Sequence, residues 1–202
     1  MAGIGAVNQV GEAIVGFLNG RRALLAAAGQ LGALPSAAEI THSSVGRIAS
    51  GAEPAAGLTL MLYRLLPSDH QWPQPSGQRQ VRPAVLSLDL LYLLTAWSGN
   101  PAEEQALMTW AMLELHRFPT LDRTVLGGGN DWAEGEALQI AYEALLDDDL
   151  FRLWQGMQRK YRLSTAFRVR ILRVQAAPDE NLPPVVEKRL GFMVSARAEA
   201  VP

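Results

Sequence analysis

The chain has 202 residues, a length that suits one domain with a substantial buried core. It contains no cysteine, which excludes disulfides, thiolate metal sites and cysteine nucleophiles. A formal net charge of -2 predicts binding neither to nucleic acid nor to a membrane surface. The sequence has no apolar run long enough for a transmembrane helix and no basic region at its start, so we expect a soluble intracellular product.

The N-terminal third predicts one long helix followed by shorter elements. Apolar residues at helical spacing predict an amphipathic helix over residues 5–28. Gly11, Gly16 and Gly20 weaken this helix, each by about 1 kcal/mol relative to alanine. The next segments are predicted as a short strand at 39–42, a loop with one helical turn at 43–57, a buried strand at 58–66 and a proline-rich connection at 67–83.

A buried strand followed by a capped helix occupies the middle of the chain. Residues 85–97 are apolar on both alternating faces, which predicts a strand covered on both sides of a sheet. The following segment has the residues of a helix start, with Asn100 as N-cap, Pro101 at the first helical position and Glu103 in the first turn. The helical pattern ends at Pro119.

The C-terminal half predicts further strands and one more helix. Phe167, Val169 and Ile171 alternate with Arg168 and Arg170, which indicates a half-buried strand at 164–174. The other predictions are a short strand at 121–126, a glycine hinge at 127–130, a strand at 138–145, a helix N-capped by Asp147 and an edge strand at 185–194. We expect the domain to cover residues 1–190 and residues 191–202 to form a flexible tail.

The sequence contains no recognisable constellation for catalysis, metal binding or cofactor binding. His42, His70 and His116 lack the spacing that places two metal ligands on one face. The aspartates at 147–149 are interpreted as complementing a helix dipole in preference to binding Mg²⁺. We therefore predict no enzyme and no cofactor, while a small-molecule enzyme or binding domain with a pocket near His116 and Asp122 stays as an alternative.

Charge is separated along the C-terminal half. Residues 131–149 carry seven acidic and no basic residues, and residues 150–178 carry seven basic and no acidic residues. Two interpretations are open: head-to-tail contact between subunits, or neutralisation of the two blocks within one chain. The candidate interface residues in these blocks are Glu136, Asp148, Arg162, Arg168 and Arg170. Nucleic-acid binding is not favoured, because few aromatic residues are interleaved with the basic ones.

The helix that begins at Pro101 supplies one more candidate interface residue. A helical projection places Trp110 on an exposed-looking side, and core residues on the opposite side. The exposed-looking side also includes Glu103, Leu107, Glu114 and Arg117, and the core side includes Met108, Ala111, Met112 and Leu115. Trp110 is therefore predicted either to contact another subunit or to be covered by a loop of its own chain.

Five segments resemble a known family. They are Leu-Met-Leu-Tyr-Arg at 60–64, Leu-Asp-Leu-Leu-Tyr-Leu-Leu-Thr-Ala-Trp at 88–97, Leu-Glu-Leu-His-Arg-Phe-Pro at 113–119, Leu-Trp at 153–154 and Tyr-Arg-Leu-Ser-Thr-Ala-Phe-Arg-Val-Arg at 161–170. In this order they resemble the N-terminal domain of the tube-terminator (cap) proteins of phage-tail-like extracellular contractile injection systems. Phage tail terminators are a close alternative.

The resemblance implies an α/β subunit of the α+β type, with a single mixed, largely antiparallel sheet flanked by helices, like a phage tail terminator. It also implies a structural protein that forms a homohexameric ring, stops growth of the inner tube and joins the tube to the last sheath layer. The expected partners are other copies of the chain, the inner-tube protein and the sheath protein. Assembly is expected in the cytoplasm, and the protein then belongs to the released or cell-associated particle.

Overall fold

The described part of the chain forms a six-stranded sheet with helices on both faces. The computed structural model describes residues 2–52, 54, 56–70, 85–126, 132, 136–143 and 145–175. The elements in these residues are α1 (Ala6–Ala27), β1 (Glu39–Ser43), α2 (Val45–Ala49), β2 (Gly57–Pro67), β3 (Val85–Trp97), α3 (Pro101–Arg117), β4 (Thr120–Leu121), β5 (Leu138–Tyr142), α4 (Asp147–Gly156) and β6 (Ser164–Gln175).

The sheet has the order β1-β2-β3-β6-β5-β4. Strands β1 and β2 are parallel, and every other neighbouring pair is antiparallel. The predicted fold class, a mixed and largely antiparallel sheet flanked by helices, is confirmed.

Strand β3 lies at the centre and divides the apolar core into two parts. Leu90 and Leu94 point to the larger part, which also contains Ile14 and Leu18 of α1 and Leu107 of α3. On the opposite face, Leu93 and Trp97 of β3 pack with Met61 of β2, Ile48 of α2 and Trp154 of α4. Helices α1 and α3 therefore cover one face of the sheet, and α2 and α4 cover the other. This arrangement explains why β3 is apolar on both sides.

The first residues of α3 and α4 differ in how they cap their helices. The Asn100 side chain accepts a hydrogen bond from the Ala102 backbone N–H at 3.0 Å, which confirms the predicted cap of α3. The predicted cap of α4 is wrong, because Leu146 occupies the N-cap position without a side-chain hydrogen bond and Asp147 is already helical. The aspartates of α4 all lie in its first turn, where they complement the helix dipole.

A β-bulge in β6 corrects the predicted alternation of that strand. Leu172 pairs with Leu88, and Val169 pairs with Leu90, so two residues of β6 lie opposite one residue of β3. After the bulge, the even-numbered residues of β6 face the larger core, whereas before it the odd-numbered residues do. Leu172 is accordingly fully buried, and Ile171 is only half-buried. The prediction that Ile171 shares a face with Val169 is therefore wrong.

Two predicted strands are shorter than expected. The strand predicted at 121–126 is present only at Thr120–Leu121, because Asp122 accepts backbone N–H bonds from Thr124 at 3.0 Å and Val125 at 3.3 Å and so closes a turn. The strand predicted at 138–145 ends at Tyr142. The connection beyond residue 70, the hinge at 127–130, the edge strand at 185–194 and the boundary at 190 lie outside the described residues.

Candidate assembly surfaces

Arg168 lies in a polar cluster on the α4 face of the sheet. Its Nη2 donates to Glu143 Oε1 at 2.8 Å, and its Nη1 donates to Asp89 Oδ2 at 3.3 Å. The hydrogen bond to Glu143, followed by the two negative charges, raises the pKa of the Arg168 guanidinium. Burial and the charge of Glu143 also raise the pKa of the neighbouring Tyr63 phenol. At this point the acidic and basic blocks neutralise each other within one chain.

Arg162 also has a partner within the chain. Its Nη1 lies 3.4 Å from Glu104 Oε1, and its guanidinium lies 5.5 Å from the centre of the Trp97 ring. The ring and the carboxylate both hold the guanidinium, while the side chain as a whole stays exposed. A contact with another subunit through Arg162 would therefore use a guanidinium that Glu104 and Trp97 already hold in place within the single chain.

The remaining charged candidates lie on three different segments of the chain. Arg170 is exposed and borders a polar cavity of about 330 Å³ together with His70 and Gln139. Asp148 is exposed in the first turn of α4, and Glu136 is half-buried just before β5. The structure thus does not gather the five charged candidates into one compact site.

Trp110 is half-buried, which corrects the predicted faces of α3. Of the residues on the predicted exposed side, Leu107 and Glu114 are buried, because Arg21 of α1 binds Glu114 at 2.7 Å and closes that side. The predicted core residues Met108, Ala111 and Leu115 are buried, while Met112 is half-buried. Trp110 lines an open apolar groove of about 550 Å³ between α3 and the end of α1, and Leu113 at its edge is 61% exposed.

A second apolar groove, of about 820 Å³, lies between the outer side of α1 and the turn at 122–126. We call it the α1 groove. Phe17, Leu24 and Val125 line it, and Gly16 and Gly20 lie at its surface with no other atom within 4 Å of where a Cβ would be. Glycine is a weak helix former, so the sequence predicted only a weakened helix at these positions. Their spacing of four residues, which places both on one side of α1, is the signal that indicates a surface groove.

The residues proposed for the enzymatic alternative do not converge. His116 is exposed at the end of α3, and Asp122 is occupied with the turn, where hydrogen bonding by the Thr124 hydroxyl lowers the pKa of its carboxyl. Neither residue borders any of the grooves and cavities described above. In the described ranges, no group of three or more His, Asp or Glu side chains is arranged to hold a metal ion. Among the same residues, no helix combines the length and apolar character needed to cross a membrane.

Comparison with protein families identifies the chain. Residues 9–188 match the model of the Pvc16 N-terminal domain. The chain belongs to the Pvc16 N-terminal domain family. The resemblance to tube-terminator proteins that the sequence motifs indicated is therefore confirmed.

Solved structures are similar to this Pvc16 N-terminal domain. One is the sheath/tube terminator of an extracellular contractile injection system, PVC, in the extended state, which is 17% identical with a TM-score of 0.50 and is matched over 95% of this chain. Another is the tube-terminating cap of the anti-feeding prophage, 16% identical with a TM-score of 0.48 over 80% of this chain. This chain spans 64% and 57% of the two structures' lengths. No curated protein matches the chain.

Proposed function

We propose that this chain terminates the inner tube of a contractile injection system. The observation that carries the proposal is the family match over residues 9–188, supported by the fold shared with a solved sheath/tube terminator. The chain acts as a structural subunit and not as an enzyme. It assembles in the cytoplasm as a homohexameric ring, binds the last ring of the inner tube and links it to the terminal sheath layer.

The surfaces of the described residues suit this role. Two open apolar grooves flank α1, and a surface groove with apolar walls suits a helix or loop of a partner. In this proposal Trp110, Glu136, Asp148, Arg162 and Arg170 contact neighbouring subunits or the tube. Arg168 acts indirectly, because its guanidinium already binds Glu143 and Asp89 and thereby fixes the strands that present its neighbours.

The test is production of the particle's tube and sheath with and without this chain, followed by electron microscopy. With the chain, we expect tubes of uniform length that end in a six-fold ring. Without it, we expect a broad distribution of tube lengths and sheath that does not stop at the tube end.

Light scattering of the purified chain at high concentration provides an independent measurement. The proposal fails if the chain stays monomeric and tubes have the same ends and the same length distribution with and without it. The folded state of the purified chain, checked by circular dichroism, controls for loss of function through unfolding.

A further inference from the structure

The α1 groove has an apolar floor, and the charged residues in its lining already have partners, Glu12 with His42 and Arg21 with Glu114. Phe17 and Leu24 belong to α1, and Leu24 is 62% exposed in a monomer. Arg123 directly precedes the lining residue Thr124, is exposed and forms no ion pair with another described residue, so it supplies a positive charge at the edge of the groove. Arg117 lies 5.5 Å above the ring of Phe118, which in turn contacts the Phe17 ring at 5.5 Å between centres. The groove therefore suits a segment that carries apolar side chains beside negative charge.

The start of α4 has the complementary composition. Leu146 is 70% exposed and Phe151 is 50% exposed, so both leave large apolar surfaces in water. Between them lie Asp147 and Asp148, both exposed and without an ion pair to any described residue. We call residues 146–151 the α4 edge.

The two surfaces lie on opposite faces of the sheet. Helix α1 belongs to the larger core with Leu90 and Leu94, and α4 belongs to the smaller core with Leu93 and Trp97. A contact between the α1 groove of one copy and the α4 edge of another therefore joins different surfaces of the two copies. Such a contact is heterologous, and its repetition adds copies in one direction until the rotation closes a ring.

We propose that the α4 edge of one subunit occupies the α1 groove of the next subunit. Phe151 and Leu146 lie on the apolar floor beside Gly16 and Gly20, and Asp148 pairs with Arg123 at the edge. The two glycines matter because the absence of side chains lets a helix from another copy approach closely. This proposal rests on the proposed ring and specifies which residues form it.

Cross-linking between introduced cysteines tests the contact directly, because the natural chain has no cysteine and gives no background. The test pair is Gly20→Cys with Phe151→Cys, and the control pair is Gly20→Cys with Ala49→Cys, since Ala49 is an exposed residue of α2 outside both surfaces. Under mild oxidation of the assembled protein, the test pair is expected to give a ladder of covalent oligomers up to six chains on a denaturing gel. The control pair is expected to give no ladder.

The outcomes separate this proposal from the proposed function. If six-fold rings form but the test pair links no better than the control pair, the contact is wrong and tube termination is unaffected. If the unmodified chain forms no ring and does not cap tubes, both proposals are wrong.

Filling the groove is a second test, and circular dichroism of the variant checks that its fold is kept. A Cβ at Gly16 or Gly20 would meet no atom within 4 Å, so a leucine at either position can extend into the open groove. We expect Gly16→Leu with Gly20→Leu to weaken ring assembly by about tenfold or more, since loss of a central apolar contact typically has that effect. The control is Ala26→Leu, an exposed position of α1 that is outside the groove and on another side of the helix from the two glycines. Equal assembly of the two variants would overturn the proposal.

Exchange of charge provides the specificity test. Arg123→Glu and Asp148→Arg should each weaken assembly, because each places like charges opposite one another. The variant with both changes should recover most of the assembly of the natural chain. A double variant that is weaker than either single variant would contradict the pairing.

Discussion

Replacement of Arg168 by methionine tests whether this arginine stabilises the fold of the single chain. Methionine keeps the apolar stem of the side chain but removes the guanidinium, so Asp89 loses its cationic partner. The Asp89 side chain is 7% exposed, so water can solvate its unpaired carboxylate only poorly. The Arg168 and Glu143 side chains are 24% and 28% exposed, so water reaches them more easily. Breaking a fully buried ion pair costs about 3–5 kcal/mol. Because the Arg168 and Glu143 side chains are partly exposed, we expect a loss of about 2–3 kcal/mol in the free energy of unfolding.

Urea unfolding followed by circular dichroism, at a concentration where the protein is monomeric, measures this loss. For a chain of this size, it corresponds to a fall of about 4–12 °C in melting temperature. Arg170→Met is the matched control on the same strand, and since Arg170 is exposed it should stay within about 0.5 kcal/mol of the natural chain. Adding Asp89→Leu to Arg168→Met should recover much of the stability, because it removes the unpaired charge. A loss below about 0.5 kcal/mol in Arg168→Met would refute the reasoning and leave Arg168 as a candidate for contacts between subunits.

Three further predictions concern positions away from the charged cluster. Gly11→Ala should destabilise the chain by about 1–3 kcal/mol, because the new Cβ would lie 2.5 Å from the His42 ring. Gly16→Ala should stabilise it by about 0.5–1 kcal/mol, because alanine favours a helix and its Cβ meets no atom within 4 Å. Thermal unfolding of the two variants measures both effects. Burial raises the pKa of the Tyr92 phenol, so the folded chain favours its neutral form. The free energy of unfolding should therefore fall as the pH rises above the usual pKa of tyrosine. Urea unfolding at a series of alkaline pH values should show a smaller fall for Tyr92→Phe than for the natural chain. Asn100→Ala should cost about 1 kcal/mol in urea unfolding, and an equal effect of Asn100→Asp would contradict a role in capping.

The sequence predicted those elements whose local pattern and tertiary environment agree. Residues 85–97 are apolar on both faces, and β3 has the same bounds, because helices cover the sheet on both sides. The start of α3 was predictable because Asn100 and Pro101 act within one turn of chain. The family resemblance was also present in local motifs, which the match over residues 9–188 confirms.

The features that sequence reasoning missed depend on contacts between distant residues. Glu114 of α3 is buried because Arg21 of α1, which lies 93 residues earlier in the sequence, binds its carboxylate where the two helices meet. The helical projection of α3 did not include α1 as a second neighbour, so it assigned Leu107 and Glu114 to an exposed side. The α1 groove requires the turn at 122–126 to lie beside α1, and the sequence does not predict that placement. The interface roles of Trp110 and of the charged residues stay predictions.

The β-bulge in β6 changes what a deletion would do to this strand. Two residues of β6 lie opposite one residue of β3, between the pairs Val169–Leu90 and Leu172–Leu88. Loss of Arg170 or Ile171 would leave one residue opposite Asp89 and would restore regular pairing. Leu172 would stay opposite Leu88 on the core face, because one residue would then separate it from Val169. The strand can therefore lose one of these two residues without moving Leu172 out of the core, whereas removal of the bulge without a deletion would turn Leu172 outward.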